Sequence, residues 1–414
     1  MTPRHHVADR SSRPRHGREV RSHGVLRGVA LVTVALLAFG VSSAAAVTLT
    51  LQNNIKHVDV SALVPTISTT PTLADPTDPN AGQAINILLL GSDSREGVNG
   101  EIGGDAGGMR SDTAIVLHIS ADRTRVEAVS IPRDSLVKIP ACNMTNGSTT
   151  KAQSSAMFNS AFANGWDHGG DMASAAACAI NTVQVNTGVS INHFVVVDFA
   201  GFQKMIDTIG GVTMCIPTDM TDDMTGLDLK AGRQTLNGEV ALEFARARHV
   251  SGTDGSDITR IAHQQQLLAA VVQEVLSKNV LTNAGELIGF ASAVSSSLTM
   301  DPGLTLSTLT GMAYGLKGIS GANITFMTIP WGPAPSDKNR VAWTPEATTI
   351  WANMAADRPI VPDETPAPVA TPTSGSTAPG TTTAPPAPNP TTTKQAGKDA
   401  MSADDLTSNQ TCAA

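Results

Sequence analysis

Ile85-Asn86-Ile87-Leu88-Leu89-Leu90, Ala114-Ile115-Val116-Leu117-His118-Ile119 and Val126-Glu127-Ala128-Val129-Ser130-Ile131 are short runs rich in Ile, Val and Leu, set apart by Gly, Ser and Asp, which is a strand pattern. At corresponding ends the apolar pattern gives way to charge: Asp93 follows the first run, Asp112 precedes the second and Arg133 follows the third. The turn Ala121-Asp122-Arg123-Thr124 is short enough to fold the second and third runs into an antiparallel hairpin. If the first two runs are antiparallel as well, two carboxylates and a guanidinium converge on one edge of a sheet.

Two carboxylates about 4 Å apart repel by roughly 4 kcal/mol at an effective dielectric near 20, so the pair needs a shared proton or a cation. No His or Cys pair lies close by, which favours a hard metal. One or two carboxylates, with water and substrate phosphate completing the shell, describe Mg²⁺ (or Mn²⁺) held by Asp93 and Asp112. The same residues also suit turns or caps, as Asp beside Gly and Ser commonly does.

Residues 1–27 carry Arg4, Arg10, Arg13, Arg15, Arg18, Arg21 and Arg27 against Asp9 and Glu19, and read as a solvated basic tail. Residues 28–51 hold no charged side chain, and about 20 apolar residues suffice to span a bilayer. Arginine on the N-terminal flank places that end in the cytoplasm, so a single-pass anchor in the cell membrane is expected, with the remainder extracytoplasmic. A cleaved signal peptide is the other reading, since Ala44-Ala45-Ala46 resembles a small-residue cleavage site. Either way the rest of the chain lies outside the membrane.

The 4 cysteines suit an oxidising compartment and allow three complete connectivities. Cys142 with Cys178 is the expected pair, because both flank the segment after the third strand; Cys215 and Cys412 remain open. Without close Cys-x-x-Cys spacing, metal binding by the thiols is not expected. A net charge of -8 despite the basic tail leaves the external part more acidic still, which argues against nucleic acid as a partner.

Composition divides the chain. Residues 52–82, with Pro, Thr and Asp and no apolar period, read as a stalk; residues 83–357 form one α/β domain; residues 358–414, dominated by Pro, Thr, Ala and Ser, read as a disordered tail. Inside the domain, residues 152–162 and 172–186 read as helices, 193–198 as a strand, 200–209 as a helix stopped by Gly210-Gly211, and 212–216 as a further strand. A short helix from Leu236 runs into Ala245-Arg246-Ala247-Arg248. In an extended segment residues two apart share a face, so Arg246 and Arg248 point together, and phosphate is the anion that paired guanidinium groups grip. A helix from about Ser256 puts Asp257, Arg260 and Gln264 on one face beside the stripe Ile258, Ile261, Leu268, Val272 and Val275. Capping and surface roles would explain that polar face too. In a chain only 15% charged, however, Arg133, Arg246, Arg248 and Arg260 at element ends point to one anionic ligand.

Gly91-Ser92-Asp93-Ser94-Arg95, Arg110-Ser111-Asp112-Thr113, Ser130-Ile131-Pro132-Arg133-Asp134, Asp207-Thr208-Ile209-Gly210-Gly211-Val212, Leu236-Asn237-Gly238 through Arg248, and Asp257-Ile258-Thr259-Arg260 with Gln264 together resemble the LytR-CpsA-Psr family. The resemblance spans roughly residues 85–276 and implies a three-layer α-β-α domain with a central mixed sheet flanked by helices, preceded by one transmembrane helix. It implies transfer of a glycopolymer phosphate from a polyprenyl-pyrophosphate carrier to the primary hydroxyl of peptidoglycan muramic acid. Carried over, Asp93 and Asp112 would hold Mg²⁺; Arg133, Arg246, Arg248, Arg260, Gln264, Arg95 and Arg110 would bind the pyrophosphate; Asp93, Arg133, Arg246 and Arg248 would be catalytic. The partners implied are the lipid-linked glycopolymer, peptidoglycan and membrane lipid. The loop 141–150 departs from the family's motif, which leaves Lys151 and Asn159 unassigned, and Asp134 either orients Arg133 or caps the next turn.

The loop 97–108 lacks the Gly-Lys-Ser/Thr ending of a nucleotide loop and reads as a lid or insertion. His118, His193, His249 and His263 have no ligand spacing, and the four tryptophans read mainly as packing residues. Two other functions remain open on the residues alone: a hydrolase releasing prenyl phosphate without a sugar acceptor, and a non-catalytic wall-binding or regulatory protein.

Overall fold

The apolar runs become the middle of a mixed sheet because they are buried on both faces. A computed structural model describes residues 56–65, 81–93, 98–103, 109–251, 253, 255–277, 298–361 and 394–408. The eight strands are β1 (Lys56–His57), β2 (Ile85–Ser92), β3 (Ser111–Ile119), β4 (Val126–Ile131), β5 (His193–Val197), β6 (Leu298–Met300), β7 (Ile324–Thr328) and β8 (Met401–Ser402), in spatial order β1-β6-β5-β2-β3-β4-β7-β8. Strands β2, β3 and β4 are consecutive antiparallel neighbours, β3 and β4 as the turn chemistry of Ala121–Thr124 requires. β5 lies parallel to β2 and β7 parallel to β4, which makes the sheet mixed.

Helices cover both faces. Leu88, Leu90, Val116, Val129 and Phe194 on one face share a core with α1 (Asn159–Gly169), α2 (Met172–Thr187) and α7 (Pro345–Ala355). Ile85, Ile87, Ile115 and Ala128 on the other face pack against α5 (Asp257–Ser277), α6 (Leu306–Gly315) and α8 (Ala403–Ser408). Between these, α3 (Phe199–Thr208) and α4 (Gly238–Arg246) join the antiparallel pair Val212–Ile216 and Gly232–Leu236 in a satellite core around Phe244 and Leu267. Gly210 and Gly211 stop α3 with φ of 81° and 89°; at Gly211 a Cβ would also lie 2.8 Å from the Leu236 carbonyl.

Three expectations change. Residues 152–162 are not one helix: Gln153–Met157 is a strand paired with Leu136–Ile139, and α1 begins only at Asn159. The polar run Gln153-Ser154-Ser155 lacks an apolar helical stripe, and the neighbouring strand supplies its backbone partners. The helix preceding Arg248 extends through Arg246, so the two arginines do not share an extended segment. The tail from 358 onward is not wholly a disordered extension: its residues 394–408 return to the domain, where β8 pairs with β7 and Met401, Ala403 and Leu406 are buried. Residues 1–27, the apolar segment 28–51, Arg95 and Cys412 lie outside the described residues. Among the described residues no helix is long and apolar enough to cross a membrane.

Candidate active site

Asp112 reaches the sheet end through a bulge. Gly91 pairs with Thr113 and Ser92 with Ser111, so Asp112 is the extra residue of β3, and a bulge re-aims a side chain. Gly91 permits this fit, because a Cβ there would lie 3.0 Å from Thr113 Cβ. Asp93, one residue beyond β2, is tied to the strand before β3: its amide donates to Arg110 O (3.0 Å), and Arg110 N donates to Asp93 Oδ1 (2.6 Å). The Arg110 side chain is exposed, so its clearest contribution is this backbone clasp on Asp93.

Arg133 enters from the end of β4 and Arg260 from the first turn of α5. Arg133 Nη1 lies 2.8 Å from Asp112 Oδ2, and Arg260 Nη2 donates to the Asp112 carbonyl at 2.6 Å. Asp257 Oδ1 stands 2.7 Å from Arg260 Nη2 and 3.3 Å from Arg133 Nε. Proximity here is not hydrogen-bond direction: both Asp257 oxygens and the Nε atoms of Arg133, Arg248 and Arg260 are buried with no hydrogen bond among the described residues. Burial would push the Asp112 carboxyl up, but the Arg133 and Arg260 guanidiniums offset this and, with the Asn159 side chain, hold it below the usual carboxylate range. Burial raises Asp257, against the pull of Arg260 and Arg133. Asp134 does bear on Arg133: Oδ2 is 3.6 Å from Arg133 Nε, while Oδ1 meets Arg340 Nη1 at 2.7 Å on the strand Asp337–Trp343, which forms a hairpin with Trp331–Ala334.

Arg248 belongs to the same electrostatic cluster, since its charge acts on both Asp257 and Arg260. Arg246 ends α4 and is differently placed: its guanidinium lies 4.6 Å over the Phe199 ring, and Nη1 donates to Ile102 O at 3.3 Å on the short helix Val98–Gly103. Gln264 ties the parts together, donating from Nε2 to Thr113 Oγ1 (3.0 Å) and Ala245 O (3.2 Å). Asn159, Asp257 and Arg340 were not assigned site roles by the residue pattern. Asn159 follows a loop that departs from the motif, Asp257 reads as a helix cap, and Arg340 arrives on a hairpin remote in sequence.

Cys142 and Cys178 form a disulfide across 36 residues, joining the segment after Leu136–Ile139 to α2. Cys215 is also disulfide-bonded.

The LytR_cpsA_psr family model matches residues 41–355, and the chain belongs to that family. It is 33% identical over 270 residues to the cell wall biosynthesis protein LcpA of Corynebacterium glutamicum, covering 61% of this chain and 51% of LcpA. It is 33% identical over 226 residues to the polyisoprenyl-teichoic acid--peptidoglycan teichoic acid transferase TagU of Oceanobacillus iheyensis, covering 54% and 62% of the two chains. The matches thus span about half of LcpA and less than two thirds of TagU. In fold, the chain is similar to the LytR-Csp2A-Psr enzyme of Actinomyces oris, with a TM-score of 0.50 at 24% identity over 73% of this chain and 96% of that one. A Streptococcus agalactiae structure matches with a TM-score of 0.52 at 19% identity, covering 66% and 87%.

Proposed function

We propose that this protein is a membrane-anchored phosphotransferase that moves a glycopolymer phosphate from a polyprenyl-pyrophosphate carrier to a muramic acid hydroxyl of peptidoglycan. The observation that carries this reading is that the buried Nε atoms of Arg133, Arg248 and Arg260, in the cluster at the end of β2, β3 and β4, have no hydrogen-bond partner among the described residues. A buried donor without an acceptor is costly, and a pyrophosphate presents many acceptor oxygens to several arginines at once. Names borne by relatives, a cell wall biosynthesis protein and a teichoic acid transferase, support the same direction.

The acceptor hydroxyl oxygen bonds to the phosphorus that carries the glycopolymer while the bond to the carrier's phosphate oxygen breaks, and the hydroxyl proton passes to the polyprenyl phosphate that leaves. Charge grows on that leaving phosphate. Preorganised Arg133, Arg248 and Arg260 stabilise it, and Arg246, braced on Phe199 at the end of α4, adds a further positive charge. Gln264, on α5 with Arg260, fixes the end of α4 to β3, which keeps Arg246 and Arg260 in register with Asp112.

Asp93 and Asp112 fit a Mg²⁺ or Mn²⁺ ion in donor chemistry: both offer hard oxygen, and Asp112 is kept ionised. Among the described residues no three His, Cys, Asp or Glu side chains form a full protein cage, so water and phosphate oxygens would complete the shell. Bound there, the ion would neutralise bridging phosphate charge.

The test is release of polyprenyl phosphate from a pyrophosphate-linked sugar lipid by the full chain. Arg248→Ala should lower turnover roughly 100-fold, the scale on which one transition-state donor acts, with an unchanged melting temperature. Unchanged turnover in folded Arg248→Ala and Arg260→Ala variants would remove the arginine cluster from the chemistry.

A further inference from the structure

Arg248 follows the end of α4, where Ala247 is the helix cap and donates its amide to the Glu243 carbonyl. The next two amides are held by another part of the chain. Asp222 ends the strand Met220–Asp222, whose partner is Leu227–Leu229, and it is only 2% exposed. Its Oδ2 accepts from the backbone amides of both Arg248 (2.8 Å) and His249 (2.9 Å), while Oδ1 accepts from Met224 N (2.9 Å). From the other side, the His263 ring packs against Phe244 at 4.8 Å and its Nδ1 lies 3.3 Å from the Ala247 carbonyl.

We infer that Asp222 is a positioning residue for the anion site: its carboxylate clamps the Arg248-His249 turn and so aims the Arg248 guanidinium at the Asp257 and Arg260 cluster. The inference rests on the reading of that cluster as a pyrophosphate site. Both oxygens of Asp222 face donors, so a side chain that accepts at both positions is required. Asparagine fits the shape but must turn its amide nitrogen toward one set of N–H groups. Burial pushes the Asp222 carboxyl up, and the amides of His249, Arg248 and Met224 outweigh it, holding the group below the usual carboxylate range. Fixed N–H groups therefore meet an ionised acceptor, which is the stronger form of the bond. The carboxylate oxygens of Asp222 are taken up by backbone amides, so it acts through Arg248 and not on the substrate.

A double-mutant cycle separates aiming from general support. Binding of inorganic pyrophosphate to the full chain is measured by calorimetry for wild type, Asp222→Asn, Arg248→Ala and the pair, with melting temperature recorded for each. Asp222→Asn should weaken binding about tenfold when Arg248 is present and less than about twofold when it is already alanine, because the effect passes through that one side chain. Asp222→Ser, which keeps one acceptor oxygen, is used if the asparagine variant does not fold. An equal loss in both backgrounds, or no loss in a folded Asp222 variant, overturns the positioning role. Wild type that binds no pyrophosphate overturns the reading of the site itself, and the inference with it.

Discussion

Arg133 Nη1 and Asp112 Oδ2 stand 2.8 Å apart, so the arginine expected to grip phosphate and the carboxylate expected to hold a metal are already joined to each other. A divalent ion at Asp112 would compete with Arg133 for the same oxygen and free that guanidinium for the pyrophosphate. Metal and substrate should then bind cooperatively, since each satisfies a partner the other displaces. The expected outcome is pyrophosphate affinity rising at least about fivefold on adding Mg²⁺ in wild type and not in Asp112→Asn, measured by calorimetry. Equal affinity with and without metal would contradict the shared role of Asp112.

Gly91 sets the spacing on which that bulge depends. A methyl group there would meet Thr113 Cβ at 3.0 Å and Oγ1 at 3.3 Å, and Thr113 Oγ1 is the acceptor for Gln264. Gly91→Ala should cost about 1 to 3 kcal/mol through overpacking and lower turnover more than Leu89→Ala, which leaves the bulge intact. Paired melting and turnover measurements check this.

The disulfide fastens the loop before Gln153–Met157 to α2. For a separation of 36 residues, chain-entropy arguments give about 4 kcal/mol. Replacing Cys142 and Cys178 together with Ala should lower the urea midpoint accordingly, and no shift would mean the bridge constrains nothing in the unfolded chain.

Asp122 offers a pH test away from the site. Its carboxyl is drawn down to about 2, first by the Ser120 hydroxyl and then by the Thr124 amide and hydroxyl. A carboxyl lowered on folding stabilises the protein above its unfolded value and loses that contribution as pH falls through the folded value. The stability difference between wild type and Asp122→Asn should thus be constant from pH 7 to about 5 and shrink toward zero as pH approaches 2. Urea unfolding at several pH values reads it directly.

Much of the frame was legible because period 2 and turn chemistry act locally. The runs at Ile85, Ala114 and Val126 form β2, β3 and β4 in the expected antiparallel order, and Asp93, Asp112 and Arg133 do gather at one end. The layers on both faces and the Cys142 to Cys178 bridge also match expectation. What local pattern does not carry is a partner chosen at long range. Gln153–Met157 is a strand because Leu136–Ile139 lies beside it, and Met401–Ser402 is a strand because it pairs with β7. Local pattern does not mark Asp222 for the same reason: its partners at Arg248 and His249 are 26 and 27 residues away.

The most direct test uses a donor lipid carrying ³²P in the phosphate next to the glycopolymer, incubated with the full chain, Mg²⁺ and uncrosslinked peptidoglycan. Transfer predicts that the label appears in the wall fraction as unlabelled polyprenyl phosphate is released, and that Arg248→Ala loses both together. Release that proceeds equally without peptidoglycan, with the label left in solution, would contradict the account and make the protein a hydrolase of the carrier lipid.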